Sequence, residues 1–254
     1  MVMMALLAPV IAGDPNTIQR EHLLLPPSLQ FILGTDDMGR DMWARILNGA
    51  RISLYVGFLS VATGAGVGAV LGLVSAYYGG TVDAIIQRAM DAMMSFPTLI
   101  LALAIVASLG TSLNNVVIAI AVVQVPRAAR VVRSQAMAVR STDYATAARA
   151  CGCTDIRIMA RHIMPQCVAP WLIIATAGLG TAIIAEASLS FLGLGVPPPE
   201  PSWGGMLSER GRDYYAIAPW LAVWPGLAIA LAVYGFNLFG DALRDVLDPR
   251  LRGT

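Results

Sequence analysis

Long apolar runs separated by short polar segments set the character of this chain. Residues 54–78, 93–109, 113–126, 168–194 and 214–239 hold few charges. Each is expected to lie in a membrane-spanning helix, which needs about 20 predominantly apolar residues. The 113–126 run is short, so its helix is expected to continue past Arg127, Arg130 and Arg133, whose side chains can snorkel to the membrane face. In the first run Gly64, Gly68 and Gly72 recur every four residues, a stripe on which a neighbouring helix can approach closely. Gly79 and Gly80 then turn the chain. Residues 83–91 read as a short amphipathic helix with Ile85, Ile86 and Ala89 apolar, and Pro97 stands near the start of the next span. Residues 1–12 are apolar but too short to cross a bilayer. They lack the basic flank and cleavage site of a signal peptide, and read as the tail of a first membrane helix.

Two polar stretches carry turn chemistry. Within 13–53, Asp14-Pro15 and Pro26-Pro27 punctuate a loop. Gly34-Thr35-Asp36-Asp37-Met38-Gly39-Arg40-Asp41 then reads as a turn leading into a helix capped by Asp41. The spacing of a calcium-binding EF-hand is absent from it. Trp43, Ile46, Leu47 and Ala50 follow as an apolar stripe suited to a membrane interface. Pro197-Pro198-Pro199, Pro201 and Trp203-Gly204-Gly205 form a second, stiff loop, either a docking edge for an outside partner or a rigid connector.

The most polar insert is 143–165. Tyr144, Ala147, Ala148 and Cys151 fall at i, i+3, i+4, i+7, one helical face, and Ile156, Met159, Ala160 and Ile163 repeat that spacing. Gly152 can end the first helix in a left-handed conformation. Thr154 can cap the second, with Asp155 in its first turn. Pro165 and Pro170 are expected to limit smooth continuation. Ala147, Ala148 and Gly152 form a small-residue face for another protein surface.

Composition and charge narrow the classes. The chain is 57% hydrophobic and 13% charged, against about 25% charged in soluble domains. The net charge of +1 gives no bulk field for nucleic acid. Seven arginines between Arg127 and Arg161 face two acids, Asp143 and Asp155, which by the positive-inside rule places that segment in the cytoplasm. Counting outward puts 13–53 outside, 79–91 inside, 110–112 outside and 195–215 outside, with the C-terminus inside. All 17 basic residues are arginine. Without lysine a phosphate-binding P-loop is excluded, so the chain is not expected to be an enzyme that hydrolyses ATP. Cys151, Cys153 and Cys167 cluster near His162, but their spacing fits no common zinc pattern. Glu186 is the one carboxylate well inside an apolar run. It is either satisfied by a partner or, with Gln124, part of a translocation pathway or gate.

Thr146-Ala147-Ala148, three residues, Gly152, nine residues and His162-Ile163-Met164-Pro165 resemble the cytoplasmic coupling loop of ABC importer permeases. That loop reads Glu-Ala-Ala, three residues, Gly, nine residues, Ile-x-Leu-Pro. Thr146, His162 and Met164 depart from it. GTDDMGRD, GARISL, SFLGLGVPPPEPSWGGML and the tail from Asn237 through Arg250 resemble the peptide and nickel branch of that family. The resemblance implies an all-α polytopic inner-membrane protein with the type I ABC importer permease fold, five full spans and a truncated first helix. Residues 1–12 would be the remnant of that helix and 13–53 an external loop with an interfacial helix. Residues 54–254 would be the transmembrane domain, with the coupling loop at 134–167.

The function implied is a permease subunit of an ATP-driven importer of di- or oligopeptides, with nickel, glutathione or another small solute as alternatives. Tyr144, Thr146, Ala147, Ala148, Arg149, Gly152, Ile163 and Pro165 would meet the ATPase, and a bulky residue at Ala148 would uncouple it. Implied partners are a second permease subunit in a heterodimer, two ABC ATPase subunits binding ATP and Mg, an external solute-binding protein and membrane lipid. No cofactor is expected in this chain. From another class, a stand-alone channel or secondary transporter would need an ion relay, for which Glu186 is the carboxylate candidate, and no inverted repeat is visible. A membrane anchor without a pathway is the third reading.

Overall fold

The computed structural model describes residues 2–208 and 213–247. Every regular element among them is helical. α1 is Val2–Ile11, α2 Met42–Tyr78, α3 Gly80–Met94, α4 Thr98–Leu109, α5 Leu113–Arg140, α6 Asp143–Ala150 and α7 Asp155–Ile158. After a π-helical turn, Met159–Ile163, come α8, Met164–Phe191, the short α9, Trp203–Met206, and α10, Trp220–Leu247. Among the described residues four spans are long and apolar enough to cross a membrane: α2, α5, the continuous stretch Asp155–Phe191, and α10.

The glycine stripe builds the centre. α2 and α5 run parallel and touch backbone to backbone. A Cβ placed on Gly64 would stand 2.3 Å from the Ala121 carbonyl oxygen, on Gly68 2.6 Å from that of Val125, and on Gly72 2.3 Å from that of Ala129. No side chain fits in such gaps, so the stripe is the condition for this contact. α8 packs antiparallel across the pair, with Ile183 against Gly57 and the Trp171 indole N–H donating to the Ala65 carbonyl at 2.9 Å. α10 returns antiparallel along α8, bringing Asn237 to Gly180 and Gly240 to Thr176. The main core lies where these helices meet, around Val56, Ile120, Ala182 and Leu189.

Besides α2, whose unbroken run from Met42 merges the expected interfacial helix with the span expected from residue 54, four boundaries differ from the pattern-based expectation. The run 93–109 is not one straight span: Ser95, Phe96 and Pro97 interrupt it, and α3 and α4 meet at 92°. Alone, the 12 residues of α4 reach about 18 Å, short of the roughly 30 Å hydrocarbon core. A fifth span exists only if the bent pair counts as one. Pro165 and Pro170 do not stop the helix. The wider π-turn joins α7 to α8, Pro165 falls in the first turn of α8, and Pro170 is accommodated inside it. The last span starts at Trp220 instead of residue 214, because Tyr214 and Tyr215 pack in a loop against Met42 and Ala218; it then runs on to Leu247. Fourth, α8 ends at Phe191, where Gly193 turns left-handed at φ 80°. Past Pro126, by contrast, α5 continues to Arg140, as the shortness of the apolar run implied. Asp248, Pro249 and Arg250 of the tail lie outside the described residues.

The end of the bundle opposite the 143–165 insert carries its two loops, which line a cavity of about 530 Å³ with Asp36, Arg45 and Ser190. Asp41 caps α2, its carboxylate accepting from the Trp43 N–H at 2.9 Å. Burial pushes its acid upward from the ordinary value, against the N–H groups of Trp43 and Ala44. Asp36 takes the N–H groups of Met38 and Arg40 at 2.9 Å each and pairs with the Arg40 and Arg45 guanidiniums at 2.7 and 3.4 Å. Gly39 has φ 76°, and a Cβ there would overlap the Gln19 backbone. GTDDMGRD is therefore the knot of this loop.

Candidate coupling site

The 143–165 insert folds as a helical hairpin lying on the ends of α2 and α5. Thr142 leads into α6 in extended conformation. Gly152 has φ 76°, its N–H donates to the Arg149 carbonyl at 3.0 Å, and the Cys153 N–H donates to that of Ala148 at 3.1 Å. This crossed pair is a Schellman stop, which favours glycine for its left-handed residue. Thr154 precedes α7 in extended conformation, but its hydroxyl makes no cap hydrogen bond.

What fastens the hairpin is a small apolar core. Ala148, Ile158, Ile163 and Cys167 bury against Ala76 and Tyr77 of α2 and Val132, Ala136 and Val139 of α5. Ala145 beside them is 0% exposed. Polar ties add direction. The Tyr77 hydroxyl donates to Asp155 at 2.6 Å, the Arg149 guanidinium lies 5.7 Å from the Tyr77 ring centroid, and Arg140 donates to the Ala76 carbonyl at 2.9 Å.

The proposed ATPase-facing residues do not share one surface. Ala148 turns inward at 9% exposure, and Ile163 is fully buried. Tyr144, Thr146, Ala147, Arg149, Gly152 and Pro165 are exposed, as are Cys151 and Ile156. Tyr144 and Ile156, at 43% and 75% exposure, are large apolar groups that the rest of the chain leaves uncovered. Thr146, standing where the resembled motif has glutamate, donates its hydroxyl to the Thr142 carbonyl at 3.1 Å. Arg140, Ala145 and Ile158 were not singled out from sequence. Ala145 and Ala148 are three apart, which was the available signal for an inward face.

Glu186 sits at 0% exposure near the opposite end of the bundle. Ser53 of α2 donates to one carboxylate oxygen at 3.0 Å, and Ser190 to the other at 2.7 Å. Ser202 continues the chain to Ser190 at 3.3 Å, and the Trp203 N–H donates to the Ser53 hydroxyl at 3.4 Å. The indole N–H of the fully buried Trp203 donates to the Ile46 carbonyl at 3.0 Å. Glu186 thus ties α2, α8 and the loop bearing α9 together. Gln124 is elsewhere. It lines a cavity of about 420 Å³ with Met93, Phe96, Thr98, Pro126 and Thr181. Its side-chain nitrogen is buried without a hydrogen-bond partner.

Comparison with known proteins agrees with this architecture. A chain of Brucella suis whose name assigns it to a peptide transport system as permease is 46% identical over 252 residues, 99% of this chain and 84% of that one. The dipeptide transport system permease protein DppC of Alkalihalophilus pseudofirmus is 45% identical, covering 99% of this chain and 83% of its own length. The glutathione transport system permease protein GsiD of Escherichia coli is 44% identical, covering 94% and 78%. In fold the chain is similar to a subunit in an inward-facing structure of the MetNI methionine ABC transporter. The TM-score is 0.65 at 20% identity, over 82% of this chain and 97% of that one. The profile of the binding-protein-dependent transport system inner membrane components matches residues 68–253. With a helical bundle of apolar spans and a hairpin seated at one end, this chain belongs to the family of inner membrane components of binding-protein-dependent transport systems.

Proposed function

We propose that the chain is a peptide-importing permease subunit whose hairpin is driven from the cytoplasm by a separate ATPase. The observation that carries this reading is the two-sidedness of the hairpin. One side, Ala148, Ile158 and Ile163, is locked into the ends of α2 and α5. The other, Tyr144, Ala147, Cys151 and Ile156, is exposed among the described residues. A piece rigidly joined to two spans and exposed on its far side transmits force from whatever grips it. The arginines flanking it support a cytoplasmic position.

In this reading each of two ATPases receives a coupling helix, ATP closes the pair, and the spans tilt to switch access. ATP and Mg belong to those partners. A second, different permease completes the pathway, an outside binding protein delivers the solute, and lipid surrounds the rest. The substrate class follows the names of the relatives, peptides including small ones such as glutathione. Gln124, unpaired in its cavity, is the pathway residue, whereas Glu186 anchors the loop above. Because Ala148 faces inward, the test of seating belongs at Ala147. Ala147→Trp is expected to abolish ATP-driven uptake in a reconstituted complex while thermal stability of the permease stays unchanged. Wild-type uptake from that variant would refute the seating.

A further inference from the structure

We infer that Asp83 and Arg133 are positioning residues that make the α3–α4 elbow move with the coupling hairpin; this rests on the coupling reading above. The Arg133 guanidinium donates to both carboxylate oxygens of Asp83, from Nε and Nη2 at 2.6 Å each. Their side chains are 28% and 22% exposed. Ser75 of α2 also donates to Asp83, and the Gln87 amide donates to Ser75 at 3.0 Å. One carboxylate therefore joins α2, α3 and α5 at a single level. A two-pronged arginine–carboxylate pair fixes orientation as well as distance.

Its location gives it a task. Ser75 and Arg133 are the sequence neighbours of Ala76 and Val132, on which the hairpin seats. On the far side, Met93, Phe96 and Thr98, where α3 turns into α4, form one wall of the cavity that holds Gln124. Apolar packing alone holds α3 thinly, since Met90 is its one buried residue. Arg130 reaches Asp91, but both are half exposed, and such a pair contributes little. Displacement of the hairpin thus passes through Asp83–Arg133 to the cavity wall.

The test uses the chain reconstituted in liposomes with its ATPases, second permease and binding protein. Asp83→Asn is expected to leave ATP hydrolysis intact while uptake per ATP falls about tenfold, the factor equivalent to one lost charge-assisted hydrogen bond. The swap of Asp83→Arg with Arg133→Asp is expected to restore it. Spin labels at the exposed positions Arg88 and Met137, with the three native cysteines replaced, give an independent reading. Their separation should stay the same in nucleotide-free and ATP-trapped complexes. Unchanged uptake per ATP in Asp83→Asn, or labels that separate on trapping, would overturn the inference. A wild-type complex that hydrolyses ATP without uptake would instead sink the coupling reading beneath it.

Discussion

Glu186 shows what an acid needs in order to sit inside an apolar helix. No cation pairs with it among the described interactions; two serine hydroxyls do the work. Glu186→Ala would strand both hydroxyls and open a cavity, an expected loss of about 2–4 kcal/mol in detergent-titrated unfolding. Glu186→Gln keeps an acceptor and the volume, so it should lose less than half of that and still transport. Abolished uptake in a Gln variant of normal stability would mean that the residue works in the pathway. The sequence made Glu186 conspicuous but left both readings open, because its partners lie 133 positions upstream and four downstream. Ala148 has the same lesson. Apolar spacing placed it on a face with Tyr144 and Ala147, yet Ala145 and Ala148 turn inward, since small residues let the hairpin lie close to α2 and α5.

At the scale of elements, long apolar runs and glycine spacing were legible because they are local. The α2–α5 contact follows directly from the stripe. Gly68→Leu, whose Cβ alone would meet the Val125 oxygen at 2.6 Å, should cost about 3 kcal/mol and shift thermal unfolding downward. Wild-type stability would mean that the two helices separate freely there. The bend between α3 and α4 and the π-turn before α8 were not legible, because proline marks a local constraint without saying whether the chain kinks, turns or absorbs it. The hairpin's second helix has only four residues and depends on a distant hydroxyl, Tyr77. Tyr77→Phe is expected to loosen it, so that trypsin cuts at Arg157 several-fold faster, tracking local opening. An unchanged rate would show that the apolar contacts suffice.

Taken whole, the molecule is a bundle with a loop end and a hairpin end. The loop end is knotted by Asp36, Glu186 and Trp203, all buried. The other end carries the hairpin, exposed on one side and continuous with two spans on the other. Sequence placed both ends correctly relative to each other because each stretch alternates along the chain, and the spans in between fix the parity. Their seating on the bundle was beyond it, being a matter of contacts between residues such as Ala76 and Ile158 that are far apart in sequence. The most direct test is thiol cross-linking from a single cysteine at Ala147, in a chain with Cys151, Cys153 and Cys167 replaced, co-expressed with its ATPase. The expected result is a cross-link to the ATPase from Ala147 and none from the fully buried Ala145. Failure to capture the ATPase, or reaction of the Ala147→Cys thiol with a membrane-impermeant reagent added outside the cell, would contradict the account.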